Sequence, residues 1–344
     1  MPTIKKPNEH FDAVLWTGNG PSSQNITSLN FQPDLVWVKN RSSTRKHNIY
    51  DSVRGTTKRL VPNDTVAEDT PGGVTAFNSN GFTVDSEGDV NASTLTFVGW
   101  TWKAGGASTV NTSGSISSNV SVNATAGFSV VTYTNSAGRN AHTVGHGLGV
   151  APKMFIIKTR SATADWPVYH ASLGATKAVY LNSTLAEQTS AAFFNNTNPS
   201  SSVITLGSGL SDAGVTIVAY CWAEVEGYSK FGSFTGNNSL DGPFIYTGFK
   251  PAFIMIKRTD VSSDWFMLDD QRPTFNVIGG GNGGMMAANQ TYAESTLSSY
   301  AIADFLSNGV KIRSDMNYGY LNASGGTYIY MAFAEAPFKY SSAR

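Results

Sequence analysis

Within these 344 residues one order of residues occurs three times, and such a chain has to fold as three similar units. Each copy opens on an aromatic residue and Thr followed by small polar residues: Trp16-Thr-Gly-Asn-Gly20, Tyr133-Thr-Asn-Ser-Ala-Gly138 and Phe234-Thr-Gly-Asn-Asn238. A proline and an apolar run ending in basic residues come next. These runs are Phe31-Gln-Pro-Asp-Leu-Val-Trp-Val-Lys-Asn-Arg41, Val150-Ala-Pro-Lys-Met-Phe-Ile-Ile-Lys-Thr-Arg160 and Phe249-Lys-Pro-Ala-Phe-Ile-Met-Ile-Lys-Arg258. Pro33, Pro152 and Pro251 are equivalent; proline suits the first residue of a strand, and the β-branched and aromatic run suits a strand buried on both faces. A short aromatic segment follows in His47-Asn-Ile-Tyr-Asp51, Asp165-Trp-Pro-Val-Tyr-His170 and Asp264-Trp-Phe-Met-Leu-Asp269.

Two copies continue with Asn80-Gly81 and Asn308-Gly309, where Asn-Gly supplies the positive φ of a tight hairpin; the middle copy has Phe194-Asn-Asn-Thr-Asn-Pro199 there. Each copy closes on an aromatic strand in which Trp102, Trp222 and Phe333 correspond. Units of roughly 100 to 120 residues, rich in strands and Gly, Asn and Pro turns, predict an all-β protein of three tandem antiparallel β-sandwich (jelly-roll-like) modules. The expected boundaries are an N-terminal arm 1–10, module 1 at 11–106, a linker and module 2 at 107–227, module 3 at 228–338 and a C-terminal tail 339–344. Residues 107–114 read as linker and Ser115 to Asn123 as an edge strand. Gly279 to Gly284 reads as a flexible insertion, and Thr296 to Asp304 is the best helical candidate.

Charged residues make up only 14% of the chain while 40% is hydrophobic, which excludes disorder for most of it. Lys plus Arg and Asp plus Glu are 24 each, so no basic excess draws the chain to nucleic acid or anionic lipid. The single Cys221 lies in an apolar run, which excludes an intrachain disulfide and predicts a buried thiol. No signal-peptide pattern follows Met1, and no window approaches the length of a membrane span. Asn25-Ile-Thr27, Asn91-Ala-Ser93 and Asn322-Ala-Ser324 match the glycosylation triplet, as chance allows in a chain this rich in Asn, Ser and Thr.

Catalytic chemistry is sparse. The glycine run lacks the Lys-Ser/Thr of a phosphate loop, and His142 and His146 have no third ligand nearby, so neither cofactor nor metal is expected. Asp264 and Asp269 flank Trp265 as a glycosidase pair would, but their recurrence as Asp51 and Asp165 favours a repeated structural corner. The basic cluster recurs as Lys39, Arg41, Lys158, Arg160, Lys257 and Arg258, capping a strand and pairing with local aspartates. The candidates for facing a ligand are Trp37, Arg41, Trp166, Arg160, Trp265 and Arg258, with indoles stacking on sugar rings where exposed and packing in a core otherwise.

The proline-led strands, with Tyr50-Asp-Ser-Val-Arg-Gly55, Phe97-Val-Gly-Trp-Thr-Trp-Lys-Ala-Gly-Gly106, Val225-Glu-Gly-Tyr-Ser-Lys-Phe-Gly232 and Tyr330-Met-Ala-Phe-Ala-Glu-Ala-Pro-Phe338, resemble virion structural proteins of tailed bacteriophages, especially the tail-fibre-like proteins of marine phages. The resemblance covers nearly the whole chain. It implies a non-enzymatic virion protein made in a bacterial cytoplasm and exposed on the particle as a tail fibre, appendage or capsid decoration. It also implies other virion proteins as partners, a homo-oligomer of trimeric type and contact with host-surface glycan; the balanced charge and the lack of a long apolar window predict no nucleic-acid binding and no membrane insertion. The alternative is a polysaccharide-degrading tail enzyme.

Overall fold

The proline-led runs form the strands Leu35–Asn40, Met154–Thr159 and Phe249–Arg258, nearly every residue of which is buried. Their β-branched and aromatic residues fill both faces of a sheet, so these strands lie inside and not at a rim. The computed structural model describes residues 3–210, 212–273, 277–279, 284–294, 301–313 and 321–337. The fold is all-β, built of several antiparallel sheets with two four-residue α-helices among the described residues.

One strand order recurs in three sheets. In the first, Phe11–Thr17, Thr96–Trp102, Leu35–Asn40 and Asn48–Asp51 are neighbours in that order. In the second, Phe128–Thr134, Thr216–Trp222, Met154–Thr159 and Pro167–His170 repeat it, and in the third Ser229–Thr235, Thr327–Pro337, Phe249–Arg258 and Trp265–Asp269 do so again. Even the register is kept: Leu35 faces Trp102, Met154 faces Trp222 and Phe253 faces Phe333.

Alternation along the closing strands divides each sheet into two faces. Val98, Trp100 and Trp102, then Val218, Tyr220 and Trp222, then Ile329, Met331 and Phe333 all join one cluster shared by the three sheets. Ring contacts bind its centre, with Trp102 lying 6.0 Å from Trp222 and 5.7 Å from Phe333 between ring centroids. Such aromatic pairs add about 0.5–1.5 kcal/mol each beyond the area they bury. The opposite faces turn away from this centre, each into its own smaller core. In the first, Val36, Val38 and Phe97 meet Ile26, Phe82 and Val84 of a small second sheet, a sandwich-like arrangement.

Several local expectations change. The stretch read as a linker contains the strand Thr109–Asn111, which pairs with Ser118–Asn123 at the edge of the second sheet. The arm is anchored: Ile4 is buried in the shared cluster and Pro7–Glu9 forms a short 3₁₀ turn. Ala301 to Asp304, the described part of the helical candidate, lies in the strand Ala301–Leu306; 295–300 fall outside the described residues, as do 280–283 of the glycine insertion and the tail 339–344. Both Asn-Gly hairpins form, but neither Asn80 nor Asn308 has a positive φ. The glycines are needed because a Cβ on Gly81 would sit 1.7 Å from the Ile26 carbonyl oxygen, and one on Gly309 2.2 Å from that of Ile245. In the middle copy the helix Ala191–Phe194 occupies this place, capped by Ser190 and ended by Asn195 at φ 51°.

Candidate functional site

Strand alternation points Trp37 at the shared cluster, and Trp166 and Trp265 also lie in it, none more than 3% exposed. Each indole N–H is used. Trp37 donates to His47 Nδ1 at 2.9 Å, Trp166 to the Asp64 carbonyl at 3.0 Å and Trp265 to the Tyr180 carbonyl at 2.8 Å. Because His47 Nδ1 accepts, its Nε2 carries the proton and donates to Ala287 O at 3.1 Å. These rings offer no face for a sugar to stack on.

The lysines explain the basic clusters. Lys39, Lys158 and Lys257 occupy one register position, facing Val98, Val218 and Ile329, and all three are fully buried. Each ammonium donates to two carbonyls, one of its own copy and one of a neighbour. Lys39 reaches Asn40 O (2.8 Å) and Thr291 O (3.2 Å); Lys158 reaches Ala164 O (2.6 Å) and Thr65 O (2.8 Å); Lys257 reaches Ser263 O (2.6 Å) and Thr184 O (3.0 Å). The first copy thus grips the third, the second grips the first and the third grips the second, closing a ring. Burial lowers the pKa of all three amines to about 8.

The gripped threonines belong to a motif that recurs with the repeat: Asn63-Asp-Thr-Val-Ala-Glu68, Asn182-Ser-Thr-Leu-Ala-Glu187 and Asn289-Gln-Thr-Tyr-Ala-Glu294. The asparagine Oδ1 atoms accept the backbone N–H of His47, Trp166 and Trp265, which holds each strap on its own copy. At the far end the glutamate N–H groups bond the backbone of the neighbouring copy at Arg160 O, Thr259 O and Arg41 O. Arg160 clasps Glu68 through two 2.8 Å bonds, and Arg41 reaches Glu294 at 2.5 Å. In the third copy threonine stands at the arginine position, so Arg258 instead pairs with Asp260 and Glu187 with Lys177. Among the described residues, Arg258 alone of the six follows the expectation of a local aspartate partner.

The aspartate corner is likewise a fastening. Asp51 and Arg54, and Asp269 and Arg272, are fully buried ion pairs. Asp51 also accepts the Tyr220 hydroxyl at 2.7 Å, and Asp269 accepts the Trp100 N–H at 2.8 Å, both from another copy. His170 replaces the aspartate in the middle copy and bonds Tyr330 O, while burial holds its pKa down to about 4. Asp264 accepts from Asn289 and Gln290. His142 contacts Tyr133 and Asn140, and His146 contacts Leu148 and Ser200. Asn91 and Asn322 of the Asn-Ala-Ser triplets are fully buried, each bonded to the opening turn of its own copy.

Two openings carry functional groups. A groove of about 620 Å³ runs where the arm, the first sheet and the third meet, with Asp12, Asp270, Glu335, Lys5 and Lys6 on its walls. Burial raises the Asp12 pKa to about 6; burial first, then the charge of Asp269, raises that of Asp270 to about 8. The second is a cavity of about 280 Å³ in the middle copy, lined in part by Thr159, Asp165, Tyr180, Phe193 and Leu210. A sequence profile described as a domain of unknown function (DUF7483) matches residues 6–337. A search of curated proteins gave no match.

Proposed function

The chain belongs to the DUF7483 family of domains of unknown function, and we propose that it is a non-enzymatic structural protein of a tailed-phage virion, exposed on the particle as a tail appendage or capsid decoration. In this reading it is three tandem β-sandwich modules, assembled in the host cytoplasm and docked to other virion proteins as a homotrimer. The observation that carries it is the closed ring of copies: the buried lysines, straps and aspartate corners fasten one module to the next around a single aromatic core. The repeated lysines and the aspartate corners are spent on fastening, as suits a particle part that must persist outside a cell. The resemblance of the proline-led strands and the closing segments to phage virion proteins suggests the biological setting.

Mass spectrometry of purified particles from the parent lysate, with immunogold electron microscopy against the chain, tests the reading. Label on the tail assigns host attachment, and label over the head assigns decoration. Particles that lack both the chain and the label overturn the proposal. The groove favours a second reading, a polysaccharide-degrading enzyme, because Asp270 keeps its proton near neutral pH beside Asp12 and Glu335, as a general acid must. Release of reducing ends from host polysaccharide, abolished in Asp270→Asn, would replace the first reading with the second.

A further inference from the structure

We propose that the cavity of the middle copy binds one neutral pyranose residue, the terminal sugar of a host-surface glycan. This rests on the reading of the chain as a particle-surface protein, and it moves carbohydrate contact away from the buried tryptophans. The middle copy departs from its two relatives at this place. The helix Ala191–Phe194 replaces the Asn-Gly hairpin; it sends Phe194 into the core and leaves Phe193 half-buried at the cavity wall. Phe193 meets Tyr180 edge to face, with centroids 5.7 Å apart at 80°.

The lining matches the two-sided chemistry of a sugar ring. Ile157, Pro167, Phe193, Leu210 and Val215 give an apolar wall for ring C–H groups, the role rings and aliphatic carbons play in small-molecule sites. Polar groups stand around it with hydrogen-bonding capacity to spare. Among the described residues, the hydroxyls of Thr159, Thr163 and Tyr180 have no partner within the protein. Asp165 is exposed and uses one oxygen, which accepts Asn182 Nδ2 at 2.8 Å, leaving the other for a sugar hydroxyl. Burial and the nearby Asp165 charge both raise the Tyr180 pKa, so its phenol stays a donor. On the rim, Arg139 and Asp212 neutralise each other with side chains 70% and 66% exposed, which favours an uncharged ligand. A volume of about 280 Å³ lies just below the usual range for small-molecule sites, roughly 300–1,000 Å³, and so selects a single ring over an extended oligosaccharide.

Saturation-transfer NMR of the full chain with the methyl pyranosides of glucose, galactose, mannose and N-acetylglucosamine tests this. At least one is expected to receive saturation from the wild-type chain. That signal is expected to fall at least tenfold in Asp165→Asn and in Phe193→Ala, with thermal unfolding reporting whether each remains folded. The exposed, isosteric Asp165→Asn decides if Phe193→Ala unfolds. No transfer to any of the four, or transfer unchanged in folded Asp165→Asn, overturns the proposal. Neither result touches the virion reading, which stands or falls on the particles; sugar binding by a chain absent from particles would leave the site standing and remove its setting.

Discussion

Lys158 shows what a repeat position does to a single residue. Its ammonium is fully buried with two carbonyls and, among the described residues, no carboxylate in contact, so burial holds the folded pKa near 8 against an unfolded value of about 10.4. Between those values the unfolded chain binds more protons, so stability rises with pH from about 8 toward 10.4 and is lost again as pH falls through 8. Lys158→Met leaves the Thr65 and Ala164 carbonyls without this donor, each a loss of about 1–3 kcal/mol, and also removes the cost of a buried charge. The destabilisation is therefore expected to be larger at pH 10 than at pH 7, read from urea midpoints at the two pH values; equal midpoint shifts would contradict it. The repeated lysine is legible in the sequence. Its partner is not, because Thr65 lies in another copy and only the folded ring brings it within reach.

Among elements, the strap from Asn63 to Glu68 and its two relatives decide how copies adhere. Glu68 accepts two bonds from Arg160 and one from Arg54, with its own side chain 13% exposed. Glu187, at the same place in the middle strap, holds only Lys177 among the described residues, and that side chain is 37% exposed. Removing one partner of a buried charge network costs about 3–5 kcal/mol, whereas an exposed pair contributes less than about 1 kcal/mol. Glu68→Gln is thus expected to lower the unfolding midpoint clearly and Glu187→Gln hardly at all; the reverse order in thermal melts would show that the straps do not carry the seams. The Asn-x-Thr-x-Ala-Glu pattern stands in the sequence three times, and reading it beside the proline-led strands would have located the seams. The strands themselves are legible because period, proline and turn chemistry are local; the strand Thr109–Asn111 is missed because its polar residues give an edge strand no apolar alternation to show.

At the level of the whole molecule, a single aromatic cluster receives one face from each of three sheets, so no copy can leave without exposing the other two. Trp102, 1% exposed, touches the rings of Phe11, Phe128, Trp222, Phe253 and Phe333. Trp102→Ala is expected to cost about 3–5 kcal/mol and to lower one cooperative transition of the entire chain. A second transition retaining two thirds of the β signal would mean that the copies unfold independently. The sequence by itself determined the proline-led and closing strands and their threefold order, since each follows from residues close along the chain. Only the tertiary structure decided which face of each sheet turns to the shared centre and which side chains become fasteners. Both faces of these sheets are apolar, and the choice between them rests on contacts between residues a hundred or more positions apart.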